Sequence, residues 1–143
     1  MKILLSLAFT VVILFFPSIR AHAAEREPFD GAWSVTIVCH EHTDEGKTVE
    51  SYTYHYAVQV RNGALHGERL SPGQPGWMTL DGTIHPDGSA ELHARGLTNR
   101  PINTLRHVRQ GTPYSYDATG QFHGSRGICT RIGGRACELT FTR

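Results

Sequence analysis

The sequence predicts an all-β protein, a single eight-stranded antiparallel up-and-down barrel in which strand 1 closes on strand 8. Three observations predict it. Apolar and polar residues alternate in short runs between turn signals, which is the period-2 mark of half-buried strands. No stretch of useful length carries a helical period, so no crossover helix has a place. Eight hairpin-linked strands would expose two edges unless the first met the last.

The strands follow in order. Trp33, Val35, Ile37 and Cys39 share one face of the first run. After an acidic loop, His42 to Glu50, a second run sets Tyr52, Tyr54, Tyr56, Val58 and Val60 on one face. Asn62-Gly63 is a strong hairpin signal because both residues tolerate positive φ. A two-residue turn there places Val60 opposite Leu65 and carries the apolar face across. Ser71 to Gly76 reads as a loop. A strand from Trp77 to His85 then reaches Pro86-Asp87-Gly88, a three-residue hairpin loop with Gly88 left-handed. That loop sets Ile84 opposite Ala90, Gly82 opposite Leu92 and Leu80 opposite Ala94. Leu97 to Pro113 has no strand pattern, and Ile102, Leu105 and Val108 are spaced for one or two short helical turns. Tyr114 to His123 and Gly127 to Ile132 follow, and Gly133-Gly134 turns into the last strand, Cys137 to Arg143. Its inward set is Cys137, Leu139 and Phe141.

Lys2, the apolar run Ile3 to Phe16 and the small-residue site Ala21-His22-Ala23 read as a secretory signal peptide over residues 1–23. The run is shorter than the ~20 apolar residues of a membrane span, and no Cys follows it to carry a lipid. The expected mature chain, 24–143, is one domain without a stable membrane anchor, secreted or periplasmic. Without Lys2 and Arg20 the 14 basic residues fall to 12 against 13 acidic, a net charge of −1, which offers nothing to nucleic acid. Residues 24–83 carry 9 acids and 4 bases, whereas 84–143 carry 4 acids and 8 Arg.

Three cysteines in an oxidising compartment imply one disulfide and one free thiol. Pairing strand 1 with strand 8 so that Cys39 faces Cys137 also sets Ile37 against Leu139, Val35 against Phe141 and Trp33 against Arg143, all inward by alternation. Cys39–Cys137 is therefore the expected bridge, with Cys129–Cys137 across the last hairpin as its rival. A two-residue Gly133-Gly134 turn pairs Ile128 with Leu139 and turns Cys129 outward.

Gly31-Ala32-Trp33 on the first strand, with Arg143 beside Trp33 on the last, resembles the calycin group of small secreted barrels: lipocalins, avidins and bacterial metalloprotease inhibitors. The resemblance implies a barrel end closed by Gly31, Trp33 and Arg143, with the Arg over the Trp ring in a cation–π contact. The helix that usually follows a lipocalin barrel is missing and no biotin-site residues match, so the resemblance carries no ligand over.

All five tyrosines, Tyr52, Tyr54, Tyr56, Tyr114 and Tyr116, fall on inward faces. Buried phenols need hydrogen-bond partners, and an eight-stranded barrel either fills with side chains or keeps a cavity for one small ligand. The tyrosines thus line a polar cavity or reach water at the mouth of a filled barrel. Arg100, Arg106 and Arg109 lie in the 97–113 stretch and would grip an anion at the mouth, or pair with the acidic half of the chain. His40 and His42 are a weak alternative as metal ligands. No Gly-x-Ser-x-Gly, His-Glu-x-x-His, Cys-x-x-Cys or phosphate loop occurs, so neither an enzyme nor a cofactor is expected. The expected function is non-catalytic binding of a small apolar or anionic ligand. The alternative is a protein-interaction or inhibitor module acting through its loops and the segment Ala24 to Asp30.

Overall fold

A computed structural model describes residues 27–143. The expected signal peptide lies outside the described residues, among which no helix is long and apolar enough to cross a membrane. The strands are β1 (Gly31–Cys39), β2 (His42–Asp44), β3 (Lys47–Val49), β4 (Tyr52–Arg61), β5 (Ala64–Arg69), β6 (Met78–Ile84), β7 (Ser89–Leu97), β8 (Pro113–His123), β9 (Arg126–Arg131) and β10 (Cys137–Thr142). Eight of them close one antiparallel barrel in the order β1-β10-β9-β8-β7-β6-β5-β4, and β4 returns to β1. The first strand thus pairs with the last, as the alternation requires.

The seam between β1 and β10 has the expected register: Val35 opposite Phe141, Ile37 opposite Leu139, Cys39 opposite Cys137. A disulfide joins Cys39 to Cys137 across it, 98 residues apart in sequence. On chain entropy alone such a loop is worth about 4–5 kcal/mol, a large share of the roughly 5–15 kcal/mol by which domains are stable. Other hairpins also match, with Val60 opposite Leu65 and Ile84, Gly82 and Leu80 opposite Ala90, Leu92 and Ala94. Both central residues of Asn62-Gly63 have positive φ. These pairings give a closed eight-stranded antiparallel barrel, consistent with the expected architecture.

One end of the barrel is sealed. Phe122 meets Trp33 edge-on at 5.2 Å between centroids, Phe29 at 5.8 Å and Phe141 at 4.9 Å. The Trp33 indole N–H donates to the Phe29 carbonyl at 2.8 Å. The Arg143 guanidinium lies 4.5 Å over the Trp33 ring and donates to the carbonyls of Asp30, Pro28 and Gly124. Gly31 sits beside it at φ +133, where other residues are strained. The Asp30 carboxylate accepts the backbone N–H groups of Asn62 and Gly63, both at 3.0 Å, tying the entering chain to the β4–β5 turn.

Two expectations need correction. The acidic loop, His42 to Glu50, contains the hairpin β2–β3, because Glu45 and Gly46 both take positive φ and make a two-residue turn. Val49 anchors it, fully buried. The β9–β10 register is also one residue away from the expected one. Leu139 faces Cys129, and Thr140 faces Ile128, so Cys129 is 1% exposed and Ile128 40%. The cause is the turn: Ile132 N–H bonds to Asp117 O of β8 at 2.8 Å, and the chain from 132 to 136 forms a five-residue loop. Because the side-chain period is two, this single step exchanges the faces of β9 and turns Gly127, Cys129 and Arg131 inward.

Gly127 is inward because Phe122 needs its space: a Cβ there would meet the Phe122 ring at 2.6 Å. Gly127→Val is therefore expected to lower unfolding free energy in urea by about 1–3 kcal/mol through overpacking. Thr130→Val, on the outward face of the same strand, should stay within about 0.5 kcal/mol of wild type. Equal effects would contradict the register.

Candidate functional site: the open end of the barrel

Beyond the aromatic seal, the inward positions near the disulfide change from aliphatic to phenolic. β4 contributes Tyr52, Tyr54 and Tyr56, and β8 contributes Tyr114 and Tyr116. Gly96 on β7 stands opposite Tyr114, and a Cβ there would come within 2.9 Å of the Tyr114 hydroxyl, so glycine makes room for the ring. Tyr114 and Tyr116 stack nearly parallel, 7° apart at 6.2 Å, and Tyr52 and Tyr54 are tilted at 4.9 Å. Three guanidinium groups lie over these rings: Arg69 over Tyr54 at 4.0 Å, Arg131 over Tyr116 at 4.5 Å and Arg135 over Tyr52 at 5.3 Å. Such contacts are worth about 0.5–2 kcal/mol each.

Residues 98–112 form a lid across this end. Its base is paired, Thr98 N–H to Thr112 O at 2.9 Å and Gly111 N–H to Thr98 O at 2.8 Å. Two short 3₁₀ turns, Pro101–Asn103 and Leu105–His107, occupy its middle, as the spacing of Ile102, Leu105 and Val108 allows. The lid is fastened to the β2–β3 hairpin and the start of β4. Glu50 N–H donates to Ile102 O at 2.9 Å, the Asn103 amide donates to Glu50 O and Ser51 O, and the His107 ring meets Thr48 O at 3.0 Å. Arg135, 3% exposed, donates to the carbonyls of Cys39, His40, Glu50 and Asn103. It is the clasp that joins lid, disulfide and barrel rim.

Under the lid is a cavity of about 260 Å³. Tyr52, Tyr54 and Tyr114 form its phenolic wall, Leu105, Val108 and Pro113 its apolar one, and Arg100, Arg131 and Arg135 its cationic groups. No Asp or Glu lines it. Of the three arginines expected at the mouth, Arg100 lines the cavity and also faces the Glu50 carboxylate at 3.8 Å. Arg106 and Arg109 are exposed on the lid and do not line it. Arg106 has φ +60, and the Arg109 carbonyl accepts from Thr98 and Thr112. Arg69, Arg131 and Arg135 are the cations that sequence reasoning misses. The alternation Leu65, Gly67, Arg69 carries a signal for the first, and the turn at Gly124-Ser125 carries one for the second.

One inward step below the cavity wall are Tyr56, partly buried, and Tyr116, only 7% exposed. Their hydroxyls, and the Nε of Arg131, are buried without a hydrogen-bond partner among the described residues. Burial raises the pKa of all five tyrosines above the ordinary phenol value. For all but Tyr54, repulsion between neighbouring phenols adds to the rise, while nearby arginines oppose it. At neutral pH the cluster is therefore uncharged and can donate.

The histidines lie elsewhere. His40 follows the end of β1 and His42 opens β2, both exposed, so they do not share a strand face as alternation suggests. No group of three or more His, Cys, Asp or Glu that could hold a metal ion occurs among the described residues. On the outer face of β5–β8, His66 pairs with Asp81 and His93 with Asp117, each at 2.6 Å. These are exposed contacts of the kind worth 1 kcal/mol or less. Cys129 is a buried free thiol whose pKa burial pushes up to about 12, which makes it unreactive. Residues 27–30 of the segment Ala24 to Asp30 pack at the sealed end, with Phe29 buried, and Ala24 to Arg26 lie outside the described residues.

No protein-family model, no curated protein and no solved structure matches the chain. The functional reading therefore rests on the geometry of the open end.

Tyrosine titration checks that geometry. Unfolded phenols ionise near pH 10, whereas the folded ones do so only at higher pH. Above pH 10 the unfolded chain then binds fewer protons than the folded one, so stability is full below pH 10 and falls as pH rises through and beyond it. The expected result is phenolate absorbance that stays low near pH 10 and rises together with loss of the native circular dichroism. Reversible phenolate formation near pH 10 in a folded barrel would contradict the burial of the cluster.

Proposed function

We propose that this chain is a secreted or periplasmic, non-catalytic binding protein that holds one small molecule in the open end of a calycin-like barrel. The observation that carries this reading is a cavity of about 260 Å³ walled by Tyr52, Tyr54 and Tyr114, with Arg100, Arg131 and Arg135 around it and no Asp or Glu. Neutral phenols and guanidinium groups on one wall supply hydrogen-bond donors to a bound molecule.

The cavity also supports the reading by its make-up, apolar on one wall and polar on the other, as ligand sites are. Its volume equals roughly nine waters of bulk liquid. That suits a single ring with a short substituent. The disulfide across the β1–β10 seam fits an oxidising compartment.

Native mass spectrometry of the protein purified gently from its own host tests this. One small molecule is expected on the barrel, lost on unfolding. Val108→Trp, which fills the cavity from the lid, should melt no lower than wild type and carry none. A wild-type protein that binds nothing from host extract, or a Val108→Trp variant that retains the same molecule, would overturn the proposal.

A further inference from the structure

Resting on the reading of the barrel end as a small-molecule site, we infer that its ligand class is a small aromatic carboxylate, the carboxylate held by Arg131 and the ring laid against the wall of Tyr52, Tyr54 and Tyr114. Charge decides the first half. The cavity is lined by three arginines and no carboxylate, so an anion lowers the energy of the site and a cation raises it. Two of the three arginines are already engaged. Arg135 spends its donors on four backbone carbonyls, and Arg100 faces Glu50. Arg131 touches the π face of Tyr116, lines the cavity and belongs to none of the ion pairs among the described residues. A guanidinium edge takes a planar carboxylate in charge-assisted hydrogen bonds, the strong kind.

The phenols decide how the anion is met. With their pKa values raised by burial, Tyr52, Tyr54 and Tyr114 on the cavity wall are neutral O–H donors and repel no carboxylate. A bound cation would find acceptors in the same phenols but would face Arg131 at close range.

Shape decides the ring. The parallel Tyr114–Tyr116 pair and the tilted Tyr52–Tyr54 pair present ring faces and edges of the kind aromatic ligands stack on, and Leu105 and Val108 close the opposite side from the lid. A volume of about 260 Å³ admits one ring with its carboxylate.

Calorimetric titration with benzoate, its neutral planar isostere benzamide and the non-aromatic cyclohexanecarboxylate tests the class. Benzoate is expected to bind about tenfold or more tightly than benzamide, the span of one charge-assisted hydrogen bond, and more tightly than cyclohexanecarboxylate. Arg131→Gln should erase the preference over benzamide. Equal affinity for benzoate and benzamide, or a preference that survives Arg131→Gln, overturns the carboxylate. Equal affinity for the two carboxylates overturns the ring. Binding of none of the three overturns the class as a whole. The small-molecule reading is separable from all of these, because co-purification of a host molecule does not depend on these probes.

Discussion

The pairing of β1 with β10 is the constraint on which the rest of the barrel depends. A sheet of eight short hairpin-linked strands has two free edges, and its inner face cannot be buried until they meet. The register that joins them places Val35, Ile37 and Cys39 against Phe141, Leu139 and Cys137, and every one of these is buried. A slip by one residue would turn the three apolar groups of the slipping strand to solvent. The disulfide sits within this register and removes unfolded conformations in which the two chain ends are apart. Arg143 over Trp33 at one end and Arg135 bonding the carbonyls after Cys39 at the other hold the seam from outside the ladder.

Once the sheet is closed, the size of its inward residues decides which end is full. At the sealed end, Trp33, Phe122 and Phe141 meet at the axis, and Gly127 leaves room for Phe122. At the other end, tyrosines stand around the wall, pinned under guanidinium groups, and the lid covers the opening without filling it. The phenols have apolar bodies that pack within the barrel and polar tips that face the cavity at Tyr52, Tyr54 and Tyr114.

Much of the fold is legible in the sequence because the turns are chemically explicit. Asn62-Gly63 and Pro86-Asp87-Gly88 fix two hairpins, and the alternation they connect fixes the faces. The inward tyrosines and the disulfide follow from the same parity. Arg131 is not legible by the route taken, for a definite reason. Gly133-Gly134 has the composition of a two-residue turn, yet Ile132 stays bonded to β8 and Arg135 turns inward to bond carbonyls 85 to 96 residues away in sequence, so the loop has five residues. The neighbouring Gly124-Ser125 turn does contain the answer, because it sets Phe122 opposite Gly127, Gly120 opposite Cys129 and Ala118 opposite Arg131. Arg106 and Arg109 mislead in the opposite way: charge density in a loop says nothing of which side chains face the cavity. The β2–β3 hairpin hides because a Glu-Gly turn is a weaker signal than Asn-Gly, and only Val49 betrays its buried anchor.

The most direct measurement is a high-resolution crystal structure of the barrel grown with benzoate. The expected density is a carboxylate within hydrogen-bond distance of the Arg131 guanidinium, with its ring against Tyr114 and Tyr52. A cavity holding only ordered waters, with benzoate absent, would contradict it.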